Sequence, residues 1–243
     1  MLLFSYWWPS LLLQFFEPDT FTYTYLLGCE RTRRALLVDP VASEVEAYIR
    51  LLNEANLKLF YTLETHVHAD HITGSGLLRE KLGSKSVVHR DAGAMCADLL
   101  VTDGVLLQVG DLEVEVRATP GHTAGCVSYV LGDRVFTGDS LLIGGCGRTD
   151  FQQGDAGLLY DSIHRKLFSL PADTLVFPGH DYQGHRVSTI AQEMENNERL
   201  GANKSRDEFL TIMKNLKLAY PKYIDQALPA NQACGRPTTE VQG

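Results

Sequence analysis

From Phe21 to Gly28 threonine and tyrosine alternate and then give way to leucine, a β-branched and aromatic pattern that predicts a strand. Ala35–Asp39 predicts a second strand, stopped by Pro40. Ser43 and Glu46 have the spacing of a capping box, and Val45, Ile49 and Leu52 then recur at helical intervals. Lys58–Leu63 reads as an apolar strand, Leu77–Lys81 as a helix after Gly74-Ser75-Gly76, and Ser86–His89 as a further strand. Val105–Val109 and Leu112–Ala118 flank Gly110-Asp111, while Cys126–Leu131 and Arg134–Thr137 flank Gly132-Asp133, so both pairs predict hairpins. Asp155 is placed to cap a helix carrying Leu159, Ile163 and Leu167, and Thr174–Phe177 predicts another strand. Helices are expected near Val187–Arg199 and Asp207–Leu216, the second opened by a Ser205/Glu208 capping box. Pro229 to Gly243 has little pattern and reads as a partly loose tail.

Two strand-rich halves, each with helical segments, predict an α/β sandwich of sheets with helices outside. No Ser/Gly/Pro-rich linker and no short repeat divides the chain, which predicts one catalytic domain with a helical C-terminal extension. At 243 residues the chain is long enough to bury a core without disulfide staples.

Composition narrows the function. The formal charge of −8 argues against a nucleic-acid surface, so an anionic substrate must be met by locally placed Arg or Lys. The five cysteines are odd in number and scattered, which fits reduced thiols; Cys146 stands nearest to chemistry-bearing residues. The opening run MLLFSYWWPSLLLQFF is apolar but has no Lys or Arg, is shorter than a bilayer span and is broken by Pro9 and Gln14. It is expected to pack on the surface rather than to target or cross a membrane. With no clear targeting signal, a cytoplasmic site in a bacterium or the mitochondrial matrix in a eukaryote is expected.

The chemistry concentrates in Thr65–His71, where His66, His68, Asp70 and His71 fall within six positions of a chain that has 8 histidines in all. Imidazole and carboxylate are the usual N and O donors for Zn, Fe or Mn. If the run is extended, His66, His68 and Asp70 share one side and His71 marks a turn. Three further donors follow predicted strands: His122 in Thr-Pro-Gly-His-Thr, Asp139 in Thr-Gly-Asp-Ser, and His180 in Phe-Pro-Gly-His-Asp. Each is weak alone, because Pro-Gly and Gly-Asp are common turn dipeptides. Together they describe donors converging on one sheet edge.

The set His66-x-His68-x-Asp70-His71, His122, Asp139 and His180 resembles the glyoxalase II branch of the metallo-β-lactamase superfamily, which implies an αββα sandwich with metal ligands on loops at one edge. THVHADHITGSG (65–76), CGRTDFQQG (146–154), His180-Asp181-Tyr182 and Pro229-Ala230-Asn231 resemble the persulfide dioxygenases more specifically, over about Leu13 to Gly235. That resemblance implies one Fe(II) per chain on His66, His122 and Asp139, and oxidation of glutathione persulfide by O₂ and water to glutathione and sulfite. His68, Asp70, His71 and His180 then support the ligands or mark a second metal position. Arg148 and Tyr182 are the expected substrate contacts, Arg148 through a bidentate fork on a glutathione carboxylate. Self-association into a homodimer is allowed for. The alternative is a dinuclear glutathione thioester hydrolase like glyoxalase II, since all seven donors of a two-metal site are present. A metallo-β-lactamase proper and a non-enzymatic metal or redox module are the remaining readings.

Overall fold

The computed structural model describes residues 10–236. Its strands form two six-stranded sheets packed face to face. The first runs β1 (Ser10–Glu17), β2 (Thr22–Cys29), β3 (Arg34–Val38), β4 (Lys58–Leu63), β5 (Lys85–His89), β6 (Leu99–Val101), in that order across the sheet. The second runs in reverse chain order from β12 (Ser188–Thr189) through β11 (Leu175–Pro178), β10 (Arg134–Gly138), β9 (Val127–Leu131) and β8 (Leu112–Ala118) to β7 (Leu106–Val109). Helices α1 (Val45–Glu54) and α2 (Ser75–Leu82) connect the parallel strands β3, β4 and β5. Later in the chain come α3 (Ala156–Ser162, continued as a π-helical turn to Leu167), α4 (Ile190–Asn196), α5 (Arg206–Asn215) and α6 (Ile224–Gln232).

Side-chain alternation along the strands sorts residues into layers. Tyr25, Leu27, Leu36, Val38 and Leu63 meet Val114, Val116, Tyr129 and Phe136 between the sheets. Leu26 and Leu37 face the other way and pack on Tyr48 and Leu52 of α1 and Leu78 of α2. On the opposite side Val130, Val135 and Val176 are covered by Leu159, Ile163 and Leu167 of α3 and by Phe209 and Met213 of α5. The expected αββα sandwich is therefore the observed architecture. No helix of the described residues is long and apolar enough to cross a membrane.

Four expectations need correction. Ser10–Glu17, read as part of a surface-packing terminus, is an edge strand in full antiparallel register with β2, from Ser10↔Cys29 to Glu17↔Thr22; residues 1–9 lie outside the described residues. Leu12 packs against the inter-sheet core while Leu13 and Phe15 pack against the α1 side, so the apolar run is an edge strand partly buried on both faces. The Ser43/Glu46 capping box does not form, because Ala42–Glu44 makes a 3-10 turn and α1 starts without a side-chain cap. The tail read as loose from Pro229 begins inside α6, whose exposed Pro229 does not break it. Finally, Cys96 and Cys234 are joined by a disulfide, and only Cys29, Cys126 and Cys146 are free thiols.

Candidate metal centre

Every candidate donor lies on a loop that leaves the end of a strand, and these loops gather at one edge of the sandwich. β4 delivers His66, His68, Asp70 and His71, β8 delivers His122, β10 delivers Asp139 and β11 delivers His180. The two sheets are stitched together at this edge, where the Tyr23 N–H donates to the Gly179 carbonyl at 2.8 Å and the Tyr25 hydroxyl to the Pro178 carbonyl at 2.6 Å. Two glycines set how closely the loops approach. A Cβ on Gly147 would stand 2.5 Å from the Asp139 carbonyl oxygen and 2.8 Å from His122 Nδ1. Gly121, at φ 136°, presses the Pro-Gly-His turn onto the Leu159 backbone, 2.3 Å from where a Cβ would sit.

The donors divide into two sets. His66, His122 and Asp139 each bring one ligand atom into a cluster whose atoms lie within 4.8 Å of one another. The far nitrogen of each imidazole is already used. His66 Nδ1 lies 3.0 Å from Thr65 Oγ1, whose hydroxyl donates to Asp39 Oδ2 at 2.8 Å, so the imidazole is the donor to Thr65. His122 Nδ1 donates to the Arg148 carbonyl at 2.6 Å. These bonds fix the tautomers and leave both Nε2 lone pairs for a metal. Burial, with His68 and His122 alongside, pushes His66 well below the ordinary histidine range and keeps it neutral. Asp139 turns Oδ2 towards His122 Nε2 (3.7 Å) and Oδ1 towards His180 Nδ1 (2.7 Å). Burial works against its charge, yet His180 above all holds the carboxyl well below the usual range.

In the second set the groups pair largely with one another, although His68, Asp70 and His71 also bring one ligand atom each within 4.8 Å of one another. His180 sits between two carboxylates, with Nδ1 on Asp139 and Nε2 2.9 Å from Asp70 Oδ2. Burial opposes its protonation, but the two carboxylates outweigh it and raise His180 well above the histidine range. Asp70 also accepts from His71 Nδ1 at 2.8 Å and from the Thr22 hydroxyl at 3.1 Å. His68 has Nε2 3.1 Å from Asp39 and 3.4 Å from Glu64. Burial opposes its protonation, but these carboxylates outweigh it, raise His68 well above the histidine range and favour the imidazolium, while its buried Nδ1 has no hydrogen-bond partner among the described residues. The expectation that His66, His68 and Asp70 share one side fails, because residues 65–71 form bends rather than a strand.

The cleft over His66, His122 and Asp139 has a volume of about 530 Å³ and is walled by Phe21, Phe151, Arg148, Tyr182, Leu218 and Lys222, among others. Tyr182 is 67% exposed and lies parallel to the His180 ring at 6.2 Å. Arg148 lines the wall, but its fork is taken by Asp150 at 2.6 and 2.7 Å and its remaining nitrogen by the Ala219 carbonyl. In the CGRTDFQQG segment the Arg148 carbonyl thus orients His122, and the Gln152 side chain donates to the Val67 carbonyl at 2.7 Å. Asp39, Glu64, Thr65 and Asn231 were missed as site residues. Asp39 and Glu64 do carry a signal, since each is an acid placed directly after an otherwise apolar strand.

Comparison with known proteins identifies the family. The sequence pattern of the metallo-beta-lactamase superfamily matches residues 18–180. The human protein "Persulfide dioxygenase ETHE1, mitochondrial" is 53% identical over 230 residues, covering 93% of this chain and 89% of its own. The crystal structure of ETHE1 from Myxococcus xanthus superposes with a TM-score of 0.91 at 53% identity, covering 93% of this chain and all of that one. A hydroxyacylglutathione hydrolase of Rhodospirillum rubrum is more distant, 34% identical over 187 residues and 74% of this chain. The chain belongs to the persulfide dioxygenase family of the metallo-β-lactamase superfamily.

Proposed function

We propose that the protein holds one Fe(II) on His66, His122 and Asp139 and oxidises glutathione persulfide, GSSH + O₂ + H₂O giving GSH, sulfite and two protons. One observation carries this reading: in the cleft His66 and His122 keep Nε2 and Asp139 keeps one carboxylate oxygen clear of close hydrogen bonds, while Asp70, His68 and His180 are engaged in ion pairs within the protein. The donor set is two imidazoles and one carboxylate, the facial arrangement that suits non-haem iron. Thiolate ligation does not compete, since burial pushes the Cys126 thiol up to about 12 and the Cys146 thiol up to about 11. When bound, ferrous iron supplies open coordination positions and the redox chemistry with O₂.

The chain's own residues orient and shield. The His180 imidazolium fixes Asp139 so that one carboxylate oxygen remains for the metal. Phe21, Phe151 and Tyr182 give the mouth of the cleft an aromatic rim. Two cations of the wall, Arg199 and Lys222, form no ion pair among the described residues. Arg199 donates to the Cys146 carbonyl, and Lys222 lies over the Tyr223 ring at 4.6 Å. Lys222 and Arg199 are therefore better placed than the Asp150-bound fork of Arg148 to meet the substrate's carboxylates, with Arg148 and Tyr182 completing the wall.

Metal analysis combined with oxygen-electrode assays tests the reading. One iron per chain, with O₂ uptake and sulfite release on glutathione persulfide, is the expected result. Two metal ions per chain, hydrolysis of a glutathione thioester and no O₂ uptake would overturn it.

A further inference from the structure

Asn231, near the end of α6, is used by none of the chemistry above. It is 4% exposed, and its carboxamide makes three bonds to the loop that carries His66. Oδ1 accepts from the Thr73 N–H at 2.9 Å, while Nδ2 donates to the His68 carbonyl at 2.9 Å and the His71 carbonyl at 2.7 Å. That loop has no strand or helix of its own to pair these groups, and buried backbone groups left unpaired are costly.

Three residues further on, Cys234 is bonded to Cys96, 138 positions earlier in the chain. The surrounding backbone is pressed onto the same loop. A Cβ on Gly235 would stand 2.1 Å from the Thr73 carbonyl oxygen, and one on Gly76 2.3 Å from the Cys234 carbonyl oxygen. Apolar support is modest: the buried apolar side chains of α6 are Ile224, Ala227 and Ala230, and Leu228 packs on the small cluster of Val67, Val88 and Ala94. The crosslink, between positions 138 apart in the chain, adds to this docking.

We propose that α6 is a clasp on the metal loop, with Asn231 as its positioning residue and the Cys96–Cys234 disulfide as a latch that thiols release. Cys96 is half-buried, whereas Cys234 is buried, so a small thiolate attacks Cys96 Sγ. The S–S bond breaks, Cys234 leaves as the thiolate, and a mixed disulfide forms on Cys96. A second thiolate attacks the external sulfur of that mixed disulfide and frees Cys96. In sum two small thiols are oxidised to one disulfide, and the protein disulfide is reduced to two cysteines. The reductant is a low-molecular-weight thiol, the class of product that the proposed reaction releases. The inference rests on His66 holding a metal but not on which metal or which substrate.

The test uses the full chain loaded with metal, a competing chelator and dithiothreitol. Thiol titration of the denatured, unreduced protein should find three free thiols, those of Cys29, Cys126 and Cys146; five would overturn the latch. Reduction should speed metal release roughly 10–100-fold, the range expected when a partner that orients a ligand is lost. Cys96→Ser should release metal fast from the start and ignore dithiothreitol. Asn231→Ala should release it fast even with the disulfide intact. Unchanged release on reduction, or a wild-type rate in Asn231→Ala, would refute the clasp. Hydrogen exchange on the metal-free protein separates this from a general loss of stability. The Thr73 amide should exchange faster on reduction while the β9 amides keep their protection; equal acceleration of both counts against a local clasp. Because that readout needs no metal, a failure of the metal assignment and a failure of the clasp remain distinguishable.

Discussion

The two donor sets at the sheet edge have the same residue types and nearly the same place, yet the protein treats them in opposite ways. Around His66 and His122 it spends hydrogen bonds on the far nitrogens, through Thr65 and the Arg148 carbonyl, and leaves the near ones open. Around His68, Asp70 and His180 it supplies counter-charges, so that each donor is satisfied by another. His71 and His68 are partial exceptions: His71 Nδ1 is on Asp70 and His68 Nε2 on Asp39, while the buried Nε2 of His71 and Nδ1 of His68 have no hydrogen-bond partner among the described residues. A ligand set is thus made by where the neighbouring carboxylates point as much as by its histidines. Asp39 lies at the junction, accepting from Thr65 on the open side and facing His68 on the closed side.

The largest effect should come from the open set. Replacing His122 by Ala removes one of three ligands and should abolish both metal binding and O₂ uptake, as measured by metal analysis and oxygen electrode. If the variant keeps a full complement of metal, the division into two sets is wrong. Next comes the junction. Asp39→Asn leaves the His68 imidazolium buried with Glu64 alone, and breaking a buried pair costs about 3 kcal/mol, roughly 10 °C in Tm for a chain of this size. Calorimetry that shows no loss would mean that His68 is neutral and available as a ligand.

The closed set should behave more mildly. His180→Ala should leave the metal content of the protein near one per chain and lower kcat by roughly 10–100-fold, because Asp139 loses the partner that orients it. Complete loss of metal in this variant would return His180 to the ligands and favour a two-metal site.

Much of this was legible beforehand, for identifiable reasons. The hairpins around Gly110-Asp111 and Gly132-Asp133, the Asp155 cap and the Ser205/Glu208 box are local chemistry, and they form as the sequence implies. The donors could be named because each follows a strand end. What could not be read is which way each donor turns. His68 faces Asp39 across 29 positions, and Asn231 reaches the metal loop from 163 positions away, so both depend on tertiary placement. Arg148 shows the limit of side-chain reasoning, since its carbonyl reaches His122 while its guanidinium is bound to Asp150. The strand at Ser10–Glu17 was hidden because it is apolar on both faces, a pattern that lacks the usual alternation.

The smallest effect tests the outer support that both sets share. The Tyr48 hydroxyl of α1 donates to Thr24 Oγ1 at 3.0 Å, and Thr24 in turn donates to the Asp39 carbonyl at 2.6 Å. Tyr48→Phe deletes the bond to Thr24 and the one the hydroxyl accepts from the Val41 N–H at 3.3 Å, and should cost about 1–2 kcal/mol near neutral pH. Burial raises the Tyr48 phenol from 10.0 to about 12. Between those values the unfolded chain ionises while the folded one stays protonated, so the folded state binds more protons and loses stability as pH rises. The contribution is therefore complete below pH 10, declines through the interval and is exhausted above about 12. Phenylalanine does not titrate, so denaturation curves of parent and variant should converge as pH climbs past 10. A gap that stays constant through that interval would show that Tyr48 ionises freely in the folded protein, and would remove α1 from the scaffold that holds Asp39 between the two sets.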